Sequence, residues 1–257
     1  MSAQSWLLDY APTSFKSSEF VCPEEIREQL IEIQEGRMKE NILLSGTPGT
    51  GKSSIAKILL HSAKEPIPLD CPNLRTDKHW QEGGRGWKEM LGGRIYYLYL
   101  TKAELRRRKI NRLIVLEEFD VIQNQSLFKT LIDQASERSI CLLTTNHYAN
   151  INQAIKSRCV HYEFGNSSEI WMQNEDDEPA GERGALTSQI KQLCKKMLLK
   201  EAPKSKDIIE DKEIANFFIR IINEHYPSVR DIMMNVHKYV RKKEIKIPAR
   251  LMKPLAD

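Results

Sequence analysis

The chain of 257 residues is long enough to bury a substantial core, as one large domain or two smaller ones, and two are expected. Thirty-nine basic residues against thirty-five acidic give a net charge of +4, a mild excess that permits nucleic-acid contact without requiring it. There is no apolar run of membrane-spanning length and no basic-then-apolar leader in MSAQSWLLDY, and the five cysteines lack C-x-x-C or zinc-ligand spacing. A membrane span, secretion, a disulfide framework and a structural zinc site are therefore not expected, and a cytoplasmic location is.

Residues 1–22, with scattered aromatics and Pro12, read as an arm laid against the core. A helix should start after Pro23, with Glu24 and Glu25 complementing its dipole, Ile26, Leu30 and Ile33 on one face, and Gly36 ending it. Next comes NILLSGTPGTGKSSIAK, residues 41–57. The apolar run Ile42, Leu43, Leu44 predicts a buried strand, and from Ile55 the spacing becomes helical. Gly46, Gly49 and Gly51 allow the intervening loop, with Thr47, Pro48 and Thr50, to turn successive N–H groups toward a phosphate. Lys52 brings a compact charge to the terminal phosphates, the Ser53 hydroxyl suits Mg2+, and Ser54 continues the helix start, whose dipole favours an anion. The spacing G-x-x-x-x-G-K-[ST] arises by chance in about one chain of this size in a hundred. Nucleotide binding is the expectation.

Farther on, Ile67–Leu69 predicts a short strand and Trp80 with Trp87 a helical pair more typical of a core than of a binding box. Arg94–Leu100 reads as strand and Thr101–Lys109 as a polar helix ending in the basic run 106–109. In RLIVLEEFD, residues 112–120, Leu113–Leu116 predict a fully buried parallel strand with carboxylates at its C-terminal end, where open α/β sheets bind ligands. Glu117 is expected to hold the magnesium shell, directly or through water, and Glu118 to polarise the attacking water. A helix over about 126–137 and a strand over 140–143 follow, with Thr144, Thr145 and Asn146 just past that strand. Asn146 is a candidate γ-phosphate or water contact. IKSRCVHYEF, residues 155–164, reads as a helix end leading into a last strand, with Arg158 at the junction. Residues 166–183, which include the acidic run 175–178, read as a linker or insertion, and 184–240 as three helices. In the third, Ser228 with Asp231 forms a capping box, and Val229, Ile232, Met233, Val236 and Val240 share a face. Arg230 then lies in the first turn, off that face, where the helix dipole disfavours a cation and a bound phosphate would favour one.

These motifs resemble the AAA+ family and, within it, the clamp-loader ATPases, above all the large subunit of tailed-bacteriophage clamp loaders and then replication factor C small subunits. GTPGTGKSS is similar to their Walker A, LIVLEEFD to their Walker B with Glu117 where Asp is usual, and LLTTN to sensor 1. Ser157-Arg158-Cys159 resembles the motif whose arginine reaches into a neighbouring subunit's nucleotide site, and Tyr226-Pro227-Ser228-Val229-Arg230 the start of the third lid helix, with Arg230 as sensor 2. The resemblance implies an AAA+ P-loop core with a parallel sheet over 1–165, the linker at 166–183, a helical lid at 184–240 and a basic tail at 241–257. It implies ATP and Mg2+ as cofactors and, as partners, other clamp-loader subunits (copies of this chain, with or without a second polypeptide), a sliding clamp and primer–template DNA. Tyr10 is expected near the adenine and Lys129 facing DNA. Three departures stand out: Tyr10-Ala11-Pro12 replaces Tyr-Arg-Pro, residues 72–100 match poorly, and no helical collar follows residue 240. The collar's absence keeps a second expectation open, another AAA+ replication ATPase such as a helicase loader. A third, a scaffold that binds nucleotide without hydrolysing it, is opposed by Lys52, Glu118 and Arg158.

Overall fold

A computed structural model describes residues 7–38, 40–63, 65–70, 112–122, 125–135, 139–165, 182–203, 212–241 and 244–245. The expectations for Trp80 and Trp87, for the strand at 94–100, the helix at 101–109 and almost all of the linker lie outside these residues. Two compact units result, one made of residues 28–46 and 52–164, the other of 1–27, 47–51 and 165–257.

The first unit is built on five parallel strands: β1 (Ile42–Gly46), β2 (Glu65–Asp70), β3 (Arg112–Glu117), β4 (Ser139–Thr145) and β5 (Val160–Phe164). Their order is β2-β3-β4-β1-β5. In β1 the four residues Ile42 to Ser45 are all buried, and continuous burial rather than alternation is what a parallel strand covered on both faces requires. Its register pairs Leu43 with Leu143 on one side and with His161 on the other. Helix α1 (Glu24–Gln34) carries the expected acidic first turn, and Gly36 follows with φ of 75°. Helix α2 (Lys52–Ser62) buries Ile55, Ala56, Ile58 and Leu59, spaced as one helical face. The core gathers Leu43, Ile114, Leu116, Phe119, Phe128, Ile132, Leu143 and Ile155, each such side chain contributing roughly 1.5–3 kcal/mol by leaving water. Phe119 meets Phe128 of α3 (Ser126–Ala135) edge-on at 5.1 Å.

One expectation shifts. Thr144 and Thr145 belong to β4 and are buried, so only Asn146 lies past the strand. The β-branched threonines extend the strand because their hydroxyls find partners there, as described below.

In the second unit, α5 (Glu182–Glu201), α6 (Lys212–His225) and α7 (Val229–Lys238) are the long helices, α4 (Gln153–Lys156) being a single turn in the first unit. Ile190, Leu193, Met197, Phe217, Ile221, Ile232, Met233 and Val236 form their shared core, joined by Tyr10 from the N-terminal arm. From residue 7 on, the arm is irregular apart from a helical turn at 7–9. Arg27 fixes it: its guanidinium donates to the Phe15 and Phe20 carbonyls at 2.6 and 2.7 Å and to Gln189 Oε1 at 3.1 Å. Gln189 in turn exchanges hydrogen bonds with the Cys22 backbone. Past α7 the start of the tail forms a two-residue antiparallel pairing, Val240–Arg241 with Glu244–Ile245. Among the described residues no helix is long and apolar enough to cross a membrane.

Candidate nucleotide site

Because β1, β3 and β4 are parallel neighbours, their C-terminal ends bring Gly46, Glu117 and Thr145 to one edge of the sheet. Past β1 the loop turns through three glycines at positive φ, each for its own reason. At Gly46, φ is 139° and a Cβ would come within 2.0 Å of the Phe164 carbonyl oxygen on β5. Space alone would exclude a side chain. Gly51, at φ of 98°, has nothing within 4 Å of its Cβ position, so only its backbone angle demands glycine, and the open space lies beside the first turn of α2. At Gly49 the neighbour is the start of α7: Ser228 Oγ lies 2.1 Å from the Cβ position, and the Arg230 N–H donates to the Gly49 carbonyl at 3.3 Å. Ser228 also caps α7 by accepting from the Asp231 N–H, as its spacing predicts. Arg230 is exposed in the first turn of that helix.

Lys52 is 7% exposed, and its Nζ donates to the Gly46 carbonyl at 2.8 Å. A buried ammonium needs such partners, and a phosphate entering the loop would supply a stronger one. Thr50 Oγ1 closes the loop by donating to the Thr47 carbonyl at 2.9 Å. Ser53 and Ser54 are half-buried in the first turn of α2.

The end of β3 is shaped by backbone strain. Glu118 adopts the left-handed conformation (φ 54°, ψ 47°), the only non-glycine residue with positive φ among those described. An L-residue with a Cβ pays for that geometry, which clusters at functional sites. Its N–H donates to Thr144 Oγ1 at 3.0 Å, so the buried threonine holds the turn. Phe119 then enters the core and leaves Glu118 exposed and Glu117 half-buried.

Asp120, the last residue of RLIVLEEFD, has a role that its place in the sequence does not signal. Its Oδ1 accepts from Thr145 Oγ1 at 2.7 Å and from the Asn146 N–H at 3.3 Å, while Thr145 Oγ1 accepts from the His147 N–H at 2.9 Å. The turn carrying Asn146 is thereby tied to the turn carrying Glu118. Asn41 was also missed as more than the first residue of the stretch. Buried ahead of β1, it accepts from the Cys141 N–H at 2.9 Å and donates to the Arg158 carbonyl at 3.4 Å, and its own carbonyl accepts from the Val160 N–H at 2.8 Å. A polar residue directly before an apolar strand was the available signal.

Arg158 sits between α4 and β5. Nε donates to Asp133 Oδ1 on α3 at 2.5 Å, and Nη1 to the Ala154 carbonyl at 2.7 Å. Lys129 is exposed one turn earlier on α3. Tyr10 is buried in the second unit, its hydroxyl donating to Glu201 Oε1 at 2.7 Å and Lys200 Nζ lying 4.7 Å from its ring centre. Burial, reinforced by Glu201, raises its phenol well above the usual range. Burial likewise raises the Cys159 thiol to about 12, so it stays protonated beside Arg158.

The donors fit a nucleotide and Mg2+. No group of three His, Cys, Asp or Glu side chains among the described residues could cage a metal. Magnesium is ordinarily held by nucleotide phosphates, water and one or two protein oxygens, which Ser53 and Glu117 can supply.

The chain is similar to known proteins in sequence and in fold. Residues 42–166 match the family model described as ATPase family associated with various cellular activities (AAA). The sliding-clamp-loader large subunit of Escherichia phage RB69 is 24% identical over 140 residues, 53% of this chain and 39% of that protein. The replication factor C small subunit of Thermofilum pendens is 26% identical over 170 residues, 64% of this chain and 48% of that one. The chain thus spans under half the length of these relatives. Among solved structures, a variant of Thermotoga maritima RuvB superposes with a TM-score of 0.56 at 15% identity, covering 95% of this chain and 70% of that one, a likeness of fold.

Proposed function

We propose, starting from the AAA ATPase domain at residues 42–166, that the chain is an ATP-hydrolysing subunit of a DNA sliding-clamp loader, coupling the nucleotide cycle to loading of a clamp on primer–template DNA. The observation that carries the chemistry is the shared sheet edge: Lys52 follows β1, Glu118 follows β3 and Asn146 follows β4, with the last two turns tied together through Asp120 and Thr144. In this reading Lys52 and the N–H groups of residues 46–54 bind the phosphates, and Ser53 with Glu117 contributes oxygens to Mg2+. The ion, when bound, neutralises phosphate charge. Glu118 takes a proton from the attacking water and Asn146 orients that water or the γ-phosphate. Arg230, at the start of the helix whose cap residue Ser228 abuts Gly49, contacts the phosphates, and Tyr10 lies on the adenine side. Arg158 completes the site of an adjoining subunit, a contribution worth roughly 10³–10⁵ in rate. Lys129 contacts the DNA backbone, which makes binding salt-dependent and insensitive to sequence. The relatives named for clamp loading and replication factor C support this reading.

The test is ATP turnover with primed DNA plus sliding clamp, against single-stranded DNA plus a replicative helicase. Stimulation by the first pair is expected. Stimulation by the second alone would reassign the chain to helicase loading, and no stimulation by the first would overturn the proposal.

A further inference from the structure

Arg158 donates from two of its three nitrogens to its own chain. Nε meets Asp133 on α3, and Nη1 meets the Ala154 carbonyl and, more distantly at 3.4 Å, Ser157 Oγ. Asn41 holds the Arg158 carbonyl besides. A guanidinium is a flat, rigid fork of five N–H groups, so tying Nε and Nη1 fixes the plane and direction of the whole group. The side chain remains 26% exposed, and no hydrogen bond from Nη2 occurs among the described residues. That leaves one edge of the fork open to a further acceptor. Asp133 is 46% exposed, and an ion pair this open to solvent contributes little to folding. What the pair does set is the direction of the guanidinium.

We propose that Asp133 is a positioning residue for Arg158: it pre-orients the guanidinium, through Nε, so that Nη2 presents to the phosphate of an adjoining subunit. This rests on the reading that Arg158 acts across a subunit boundary. Without Asp133, the arginine must find its orientation at each encounter. A displacement of about 1 Å at such a group costs on the order of 10²-fold in rate. The opposite role is also chemically coherent, because a carboxylate could restrain the arginine until assembly releases it. The two roles differ in sign.

The experiment measures kcat and KM for ATP of the full chain, assembled with Mg·ATP and a primed oligonucleotide duplex, for Asp133→Ala, Asp133→Asn and Arg158→Ala. Positioning predicts that Asp133→Ala lowers kcat on the order of tenfold or more with KM little changed. Asp133→Asn, which keeps an acceptor oxygen for Nε, recovers most of that loss. Mixing Asp133→Ala chains with Glu118→Gln chains should then restore turnover, because the first supplies an intact pocket and the second an intact arginine. A merely structural role would give neither the rescue by asparagine nor the complementation. Unchanged kcat in Asp133→Ala, with Arg158→Ala impaired, overturns the positioning role alone, and a raised kcat makes Asp133 a restraint and overturns it too. Unchanged kcat in Arg158→Ala overturns the trans-acting arginine itself, and positioning with it.

Discussion

Thr145 Oγ1 donates to Asp120 Oδ1 across 2.7 Å, and this bond ties the end of β4 to the turn that follows β3. The same carboxylate oxygen accepts from the Asn146 N–H, so Asp120 fixes the relation between two groups expected to face the γ-phosphate without needing to touch it.

Asp120→Ala should therefore impair chemistry more than nucleotide binding. The buried Thr145 hydroxyl loses its acceptor, costing about 1–3 kcal/mol in stability. Urea denaturation measures that loss, and steady-state kinetics should show kcat falling by roughly tenfold or more while KM stays within a few-fold. Equal loss of ATP affinity would remove Asp120 from the positioning role.

Glu118 separates fold from function. Glu118→Gln should keep ATP binding and lower turnover on the order of 10²–10⁴-fold, the usual worth of a general base. Glu118→Gly should abolish turnover equally yet raise stability by about 0.5–1 kcal/mol, because glycine adopts φ of 54° without strain. Thermal melts and ATPase assays on the same preparations check both. Turnover at the parent rate in either variant would reject the base assignment.

The loop glycines should differ in kind. Gly51→Ala meets no neighbour and pays only for its backbone angle, about 1–2 kcal/mol, so it should fold and bind ATP weakly. Gly46→Ala drives a methyl into the Phe164 carbonyl and must part β1 from β5, so it should lose about 3 kcal/mol or more. Chemical denaturation with fluorescent-nucleotide titration distinguishes them.

His161 gives the first unit a pH dependence. Its Nε2 lies 2.7 Å from the buried Ser45 hydroxyl and its ring stacks on Tyr148 at 4.0 Å. Burial lowers its pKa, Glu163 opposes that effect, and Lys156 adds to it. The folded chain therefore favours neutral imidazole. Its contribution to stability is full above the unfolded value of about 6.5 and declines as pH falls below it, because the unfolded state then binds the extra proton. Denaturation midpoints between about pH 5 and 7.5 should fall toward acid, and His161→Gln should flatten that slope.

Much of this was legible from residue types. The buried parallel strands follow from apolar runs at 42–44 and 113–116, and the cap of α7 from Ser228 with Asp231. Helix α2 begins at Lys52, as the glycine spacing requires. What stayed hidden are relations between distant positions. No pattern along the chain reveals that Asp120 meets Thr145, that Asp133 meets Arg158, or that Gly49 abuts Ser228, 179 positions away. Nor does it reveal the left-handed Glu118, since any sequence scan expects glycine or asparagine at such an angle. That an arm with scattered aromatics packs on a core is legible, but not that the Tyr10 ring joins the core of α5, α6 and α7.

Among the described strands, β2 borders the sheet and carries Pro66 and Pro68. Strand amides point alternately left and right, so the bonds toward β3 must be donated by Glu65, Ile67 and Leu69, and the outer rim is left with carbonyls and few hydrogens to offer. An extended peptide drifting against that rim cannot complete a ladder there. A second copy of the chain therefore cannot fuse sheet to sheet along this border, the side remote from β1 and the glycine-rich loop.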